Sequence, residues 1–210
     1  MTEQQWIECA DPLRLLLFLH QKRKASDRKL RLFGCACCRR IWHLLPDQAN
    51  RDLVAAVEDR PDGTSSDPEL WAAIVASSSR EYELRNEPGF WAAKYLGTSY
   101  YKYLPLDAAI TLTSHIVRRV AGAGEGPAEP AAQADLVREI FGNAFHLLPP
   151  RPEAIAPLAE QVCQGHWDLI PLLGEWLQEH GYWSEGEHCL DPNVHHVKGC
   201  WVVDWVTGRR

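Results

Sequence analysis

The sequence predicts an all-α protein of about eight to ten short helices arranged as one irregular domain. Apolar residues recur at spacings of three and four, as one buried helical face requires. Residues that favour helix starts precede most of these stretches, and Pro or Gly residues interrupt the pattern between them. A length of 210 residues also suits one domain. We therefore expect residues 1–210 to form a single helical domain, with a flexible Gly/Pro/Ala-rich linker near residues 121–133.

The clearest helix signals lie in the first half of the chain. Asp11-Pro12 combines an N-cap residue with a proline at the first helical position, and it starts a predicted helix over residues 13–22. Ser26 caps a second helix, whose apolar stripe runs through Phe33 and Cys37 and which Pro46 ends. Further helix starts are predicted at Asp47, at Asp67-Pro68, at Phe90 and at Leu106.

The second half of the chain gives weaker signals. Short helices are predicted over residues 136–141, 154–163 and 169–179. The segment Ser184-Glu185-Gly186-Glu187 fits a capping box, in which the first and last side chains satisfy the opening amides of a helix. Residues 200–206 fit either one or two helical turns or a buried strand, so the sequence leaves both structures open.

Charge is distributed unevenly along the chain. Nine basic residues and one acidic residue fall between Arg14 and Arg40, which gives this segment a charge of +8. The whole chain has a formal charge of −6, so the remaining residues together carry −14. The basic segment is therefore a candidate binding surface. The candidate partner-binding residues are Lys22, Arg23, Lys24, Arg28, Arg31 and Arg39.

Three interpretations of the basic segment are open. The arginines can pair with acidic residues of the same molecule or form a solvated helix face, which is the simplest interpretation. They can also contact a protein partner with an acidic surface, since complementary charge governs association rate and specificity. Nucleic acid is the least favoured partner, because the sequence pI is near 5.8 and no recognition motif is present.

Cysteine usage indicates a reducing compartment. The chain contains seven cysteines, an odd number, and three of them crowd into positions 35–38. The first residues lack the basic region of a secretory signal, and apolar runs such as residues 15–19 are far too short to span a membrane. We therefore expect a cytoplasmic protein whose cysteines are free thiols or metal ligands.

Two Cys/His clusters predict a zinc site. Cys35 and Cys38 are three residues apart on the second helix, so their sulfurs can converge on one ion. His196 and Cys200 are four residues apart and would share a face if the C-terminal end is helical. These four residues form the predicted metal site, with His188 and Cys189 as alternates. The favoured interpretation is that the cysteines simply pack in the core, as free cysteines often do, and the zinc site is the alternative to it.

Cys35 is also a candidate nucleophile. It falls one helical turn from both Arg31 and Arg39, and these cations would lower the pKa of its thiol. His196 or His188 could then serve as its base. However, the chain lacks a Gly-rich phosphate loop, an HExxH motif and a GxSxG motif. The leading interpretation is a non-enzymatic protein that acts through protein–protein contacts, with a zinc-dependent or thiol-dependent enzyme as the alternative.

Three blocks of the chain resemble a family of uncharacterised bacterial proteins. The first block, over residues 27–45, reads DRKLRLFGCACCRRIWHLL. The second reads LVREIFGNAF over residues 136–145, and the third reads HVKGCWVVD over residues 196–204. The resemblance implies kinship and a bacterial cytoplasmic location, and it implies no activity.

Overall fold

The computed structural model describes residues 1–64, 66–100, 104–125 and 128–209. Within these residues the backbone forms thirteen α-helices and no strand. The all-α prediction is therefore confirmed, but the predicted number of eight to ten helices is wrong. The difference includes two short helices, at residues 3–8 and 81–84, that the sequence patterns did not predict. No helix in the described ranges is both long and apolar enough to cross a membrane.

The helices are distributed along all the described ranges of the chain. The first seven are α1 (Glu3–Glu8), α2 (Pro12–Gln21), α3 (Asp27–Arg40), α4 (Gln48–Asp59), α5 (Pro68–Ser79), α6 (Glu81–Leu84) and α7 (Phe90–Thr98). The last six are α8 (Leu106–Glu125), α9 (Ala128–Phe141), α10 (Ala156–Cys163), α11 (Ile170–Glu179), α12 (Trp183–Leu190) and α13 (Trp201–Thr207). They form two compact units, an N-terminal unit over Met1–Val137 and a C-terminal unit over Arg138–Arg210.

Helix α3 forms the centre of the N-terminal unit. The predicted N-cap is confirmed, because the Ser26 side chain accepts a hydrogen bond from the Lys29 amide at 3.4 Å. Every residue from 32 to 38 is buried, and α3 packs against α4, α7 and α8. The absence of a side chain at Gly34 permits the close approach to α8, since a Cβ there would lie 2.9 Å from Ile110 Cδ1. The basic helix is therefore largely a core helix.

The segment predicted as a flexible linker is helical in its described residues. Helix α8 continues to Glu125, and α9 begins at Ala128. Gly126 and Pro127 lie outside the described residues. The physical reason for the difference is composition, because residues 128–134 contain four alanines, the residue with the highest helix propensity. The buried Gln133 also anchors this segment by donating to Glu129 Oε1 at 3.0 Å.

The C-terminal unit is built around helices α11 and α12 and the last helix, α13. Residues 201–207 form α13, so the helical alternative is correct and the strand alternative is wrong. The predicted capping box is wrong as well: α12 begins at Trp183, and the Ser184 hydroxyl donates to the Glu185 carboxylate instead of accepting from the backbone amide of Glu187. Buried side chains of α10, α11 and α13 form the core. They include Val162, Leu173, Leu177, Val202 and Val206.

Two glycines allow α11 and α12 to touch. A Cβ at Gly186 would lie 2.7 Å from the Gly174 carbonyl oxygen, and a Cβ at Gly174 would lie 2.9 Å from Cys189 Cβ. Real Cβ atoms do not approach backbone oxygens this closely, so a side chain at either position would force the helices apart. The contact therefore fixes the position of α12 within the unit.

We predict that Gly186→Ala destabilises the protein by about 1–3 kcal/mol, the usual cost of overpacking. Alanine within an exposed helix would instead be stabilising by about 0.5–1 kcal/mol relative to glycine. Urea unfolding of the variant measures the difference. Glu187→Ala, at an exposed position of the same helix, is the control and should leave the free energy of unfolding nearly unchanged. A Gly186→Ala variant as stable as the parent would contradict the packing described.

Candidate metal centre

Four side chains of the C-terminal unit converge on one point. Glu139 comes from the last turn of α9, and His188 comes from α12. His196 and Cys200 come from the segment between α12 and α13, where Cys200 directly precedes α13. One ligand atom from each residue lies within 4.8 Å of the ligand atoms of the other three. Carboxylate, imidazole and thiolate are all zinc ligands, so this group could hold a metal ion.

A tight turn brings His196 and Cys200 to the site. Asp191 accepts a hydrogen bond from the Asn193 amide at 2.9 Å, which starts the turn after α12. Gly199 then takes a φ of +92°, a conformation that favours glycine, and the chain enters α13 through Cys200. The two ligands therefore meet through a loop, whereas the sequence suggested that they would share one helical face.

The distances between the ligand atoms are short. His188 Nε2 lies 2.9 Å from Glu139 Oε2, and His196 Nδ1 lies 3.1 Å from Glu139 Oε1. Cys200 Sγ lies 3.6 Å from His188 Nε2 and 3.8 Å from His196 Nδ1. In a tetrahedral zinc site, bond lengths of 2.0–2.3 Å place neighbouring N and O ligands about 3.3 Å apart and N and S ligands about 3.6 Å apart. The observed distances between the ligand atoms are close to these values.

Hydrogen bonding alone does not account for the contacts. The buried Glu139 Oε2 has no hydrogen bond of good angular geometry, although His188 Nε2 lies 2.9 Å away. Each imidazole also directs one nitrogen towards two groups, a Glu139 oxygen and the Cys200 sulfur. A ring nitrogen has one proton or one lone pair, so it cannot fully satisfy both neighbours. An ion at the common centre would be contacted by all four groups at once.

The electrostatics of the site favour an ionised carboxylate. Burial raises the pKa of Glu139, but the neighbouring His188 and His196 lower it by more, so the net pKa lies below its usual value. Burial, together with the Glu139 charge, raises the pKa of the Cys200 thiol well above its usual value. The amides of Val202 and Val203 partly oppose this increase. A bound cation would reverse the balance for Cys200, because a thiol that coordinates zinc is deprotonated.

Trp201 covers one side of the site. The centroid of its ring lies 5.1 Å from that of His188 and 6.3 Å from that of His146. The ring fits because Gly142 has no side chain: a Cβ there would lie 3.1 Å from Trp201 Cγ. Gly142 also has a φ of +70° where it ends α9. The second and third sequence blocks thus supply the ligands Glu139, His196 and Cys200 and the packing around them.

The structure brings together half of the predicted metal site. His196 and Cys200 lie in the four-residue group, and the alternate ligand His188 joins them. The alternate Cys189 is buried in α12 and is not a member of the group. Cys35 and Cys38 lie in the N-terminal unit, on α3, and the four-ligand group is complete without them.

Glu139 is the member of the four-residue group that the sequence did not reveal. The candidate ligands selected from the sequence were cysteines and histidines only. Glu139 lies among Leu136, Val137 and Ile140 in a helical segment. An acidic residue next to the apolar positions of a short helix was the available signal. The structure shows that its side chain is 5% exposed, so the charge is directed into the unit.

The thiols of α3 differ from the prediction. Cys35, Cys37 and Cys38 are all fully buried, as predicted for Cys37. Burial raises the pKa of the Cys35 thiol well above its usual value, and the smaller effect of Arg39 does not offset it. The expected lowering of the Cys35 pKa is therefore wrong, because desolvation outweighs the nearby cation. These thiols have the properties of core residues.

The predicted partner-binding residues include three arginines of α3 that contact other groups of the N-terminal unit. Arg39 pairs with Glu58 at 2.6 Å, and Arg28 lies 3.3 Å from Asp62. Arg31 donates to the Pro61 carbonyl at 2.9 Å. The other three residues, Lys22, Arg23 and Lys24, are exposed at the connection between α2 and α3. An acidic protein partner for this segment stays a prediction, as does weak nucleic-acid binding.

No family model, curated protein or solved structure matches this chain. The kinship implied by the three sequence blocks stays a prediction.

We predict that Cys35, Cys37 and Cys38 react slowly with a thiol reagent in the native protein at pH 8. Burial raises the pKa of each thiol, to about 12 for Cys38, so the reactive thiolate is scarce at that pH. Mass spectrometry after timed alkylation measures the rate at each residue, and unfolding in urea should release all three. Rapid alkylation of native Cys35 would instead support the nucleophile interpretation.

Proposed function

We propose that the C-terminal unit binds one zinc ion through Glu139, His188, His196 and Cys200, and that this ion is structural. The observation that carries the proposal is the convergence of four protein ligand atoms within 4.8 Å of one another. Two nitrogens, one sulfur and one oxygen form a complete tetrahedral set. The mixture of imidazole and thiolate suits zinc better than calcium or magnesium, which prefer oxygen ligands.

A structural role is favoured over a catalytic role. Catalytic zinc sites usually have three protein ligands and keep a fourth position for water or substrate, whereas structural sites are closed by four protein ligands. Here Cys200 is fully buried, and the side chains of Glu139, His188 and His196 are between 5% and 16% exposed. The ion would join the end of α9, α12 and the segment before α13. This supports a non-enzymatic protein in which zinc stabilises the C-terminal unit.

Charge balance supports the same assignment. Zn²⁺ with the carboxylate of Glu139, the thiolate of Cys200 and two neutral imidazoles gives a centre with no net charge. A neutral centre is compatible with burial, whereas an uncompensated charge at this depth would be costly.

We predict that the full-length protein binds one equivalent of zinc and that its free energy of unfolding increases with free zinc. A ligand at 1,000 times its Kd stabilises by about 4.1 kcal/mol, provided that it binds only the folded state. Competition with a chromophoric chelator measures the affinity, and urea unfolding with and without chelator measures the stability. Cys200→Ser and His196→Ala should each weaken zinc binding by at least tenfold, because each removes a ligand.

Two neighbouring residues provide matched controls. His195→Ala removes an exposed histidine next to His196, and Cys189→Ser removes a buried cysteine next to His188. Both variants should bind zinc with the affinity of the parent protein. Absence of zinc binding by the folded parent protein, or an affinity that Cys200→Ser leaves unchanged, would overturn the proposal.

A further inference from the structure

The N-terminal unit contains a cavity that the proposed zinc centre does not use. It lies between α2 and α8 and has a volume of about 280 Å³. Its walls are mainly aliphatic, formed by Leu13, Leu16 and Leu17 of α2, Leu30 of α3 and Ile110 of α8. Leu17 is 57% exposed, so a large apolar side chain stands at the rim in contact with water. An apolar ligand could remove this surface from solvent.

The small side chain of Ala25 helps to keep the cavity open. Ala25 lies in the connection between α2 and α3 and lines the cavity, where a longer aliphatic side chain would occupy part of the space. For comparison, a cavity of 150 Å³ lined by aliphatic and aromatic residues binds benzene, which has six heavy atoms. The volume here is nearly twice as large. It therefore suits a ligand body of about ten heavy atoms.

The polar groups of the cavity define the head group of the ligand. Three lining residues are polar: His20, Asp107 and Thr111. Asp107 is the one acidic residue among the lining residues, and no lysine or arginine lines the cavity. The side chain of Asp107 makes no hydrogen bond or ion pair with any other described residue. A positively charged head group could therefore pair with Asp107 without displacing an existing partner, while a carboxylate head group would be repelled.

We propose that this cavity binds a small cationic amphiphile, an aliphatic or aromatic amine whose apolar body lies among the leucines and whose ammonium group pairs with Asp107. Thr111, one turn after Asp107 on α8, supplies an acceptor oxygen at the same wall. Most ligand pockets combine an apolar lining with a few polar groups that fix orientation, and this cavity has that composition. The site is independent of zinc binding, which involves only residues of the C-terminal unit.

Three probes with the same chain test the head group. Titration of the full-length protein with n-octylamine, 1-octanol and octanoate, followed by ¹H–¹⁵N NMR, measures their affinities and locates the perturbed amides. We expect octylamine to bind at least about fivefold more tightly than octanol, the effect of one partly exposed ion pair. Octanoate should bind most weakly. The perturbed amides should include those of residues 13–17 and 107–111.

Two variants test the two parts of the site separately. Asp107→Asn should lower the octylamine affinity about fivefold and leave octanol binding unchanged. Asp52→Asn removes the same charge from an exposed position of α4 and should have no effect. Ala25→Leu should weaken all three probes by filling the cavity.

The outcomes that overturn the proposal are equally specific. Equal affinities of the parent protein for octylamine and octanol, or an octylamine affinity that Asp107→Asn leaves unchanged, would exclude the amine assignment. Tighter binding of octanoate than of octylamine would indicate an anionic head group and contradict the amine assignment. Absence of binding by all three probes, or amide shifts confined to other residues, would exclude the cavity as a site. Because Asp107 is exposed, its variant should fold even if Ala25→Leu does not.

Discussion

The C-terminal unit depends on how it compensates the buried charge of Glu139. A carboxylate removed from water must be matched by hydrogen bonds, by cations or by its own protonation. The two imidazoles lower the pKa of Glu139, so the carboxylate stays ionised, yet one of its oxygens has no hydrogen bond of good angular geometry. A divalent cation among Glu139, His188, His196 and Cys200 would resolve this mismatch. It would also account for the two imidazole nitrogens that each face an oxygen and a sulfur.

The rest of the unit positions these four groups. The close approach of α11 and α12 at Gly174 and Gly186 fixes the helix that carries His188. The left-handed conformation of Gly142 ends α9 shortly after Glu139, and Trp201 packs over this glycine and against the His188 ring. A bound metal ion would stabilise the unit without a large hydrophobic core. This is relevant for a unit of 73 residues (Arg138–Arg210), because small units often rely on metals for stability.

The sequence predicted most of the helices but missed α1 and the single-turn α6, although Thr2 and Gln5 form a capping box at the start of α1. Asp11, Ser26, Asp47 and Asp67 all cap helices as expected, since their side chains accept hydrogen bonds from nearby amides. Segment 121–133 was predicted to be a linker because glycine and proline disfavour helices. Its alanines favour a helix, and its described residues are helical. The capping box at Ser184 failed because α12 starts two residues earlier than the box requires, after Tyr182. Apolar periodicity predicted α10 and α11 as well, and the starts of these helices have no side-chain cap.

The candidate site was predictable in part. Ligand chemistry selected His196 and Cys200, with His188 as an alternate, and the structure places these three residues in one group with Glu139. The same reasoning selected Cys35 and Cys38, whose spacing fits a metal site, but burial in a helical core explains their clustering. Glu139 could not be selected, because acidic residues are common and only the tertiary fold shows that this one is buried. Composition identifies ligand types, and the fold decides which of them meet.

X-ray absorption spectroscopy of the zinc-loaded, full-length protein tests the central claim most directly. The account predicts a four-coordinate ion with one sulfur at about 2.3 Å and three nitrogen or oxygen neighbours at about 2.0–2.2 Å. Three sulfur neighbours would instead match the site composed of Cys35, Cys38, His196 and Cys200, and would contradict the ligand set described here. A zinc ion with no sulfur neighbour would exclude Cys200 and with it the closed structural centre.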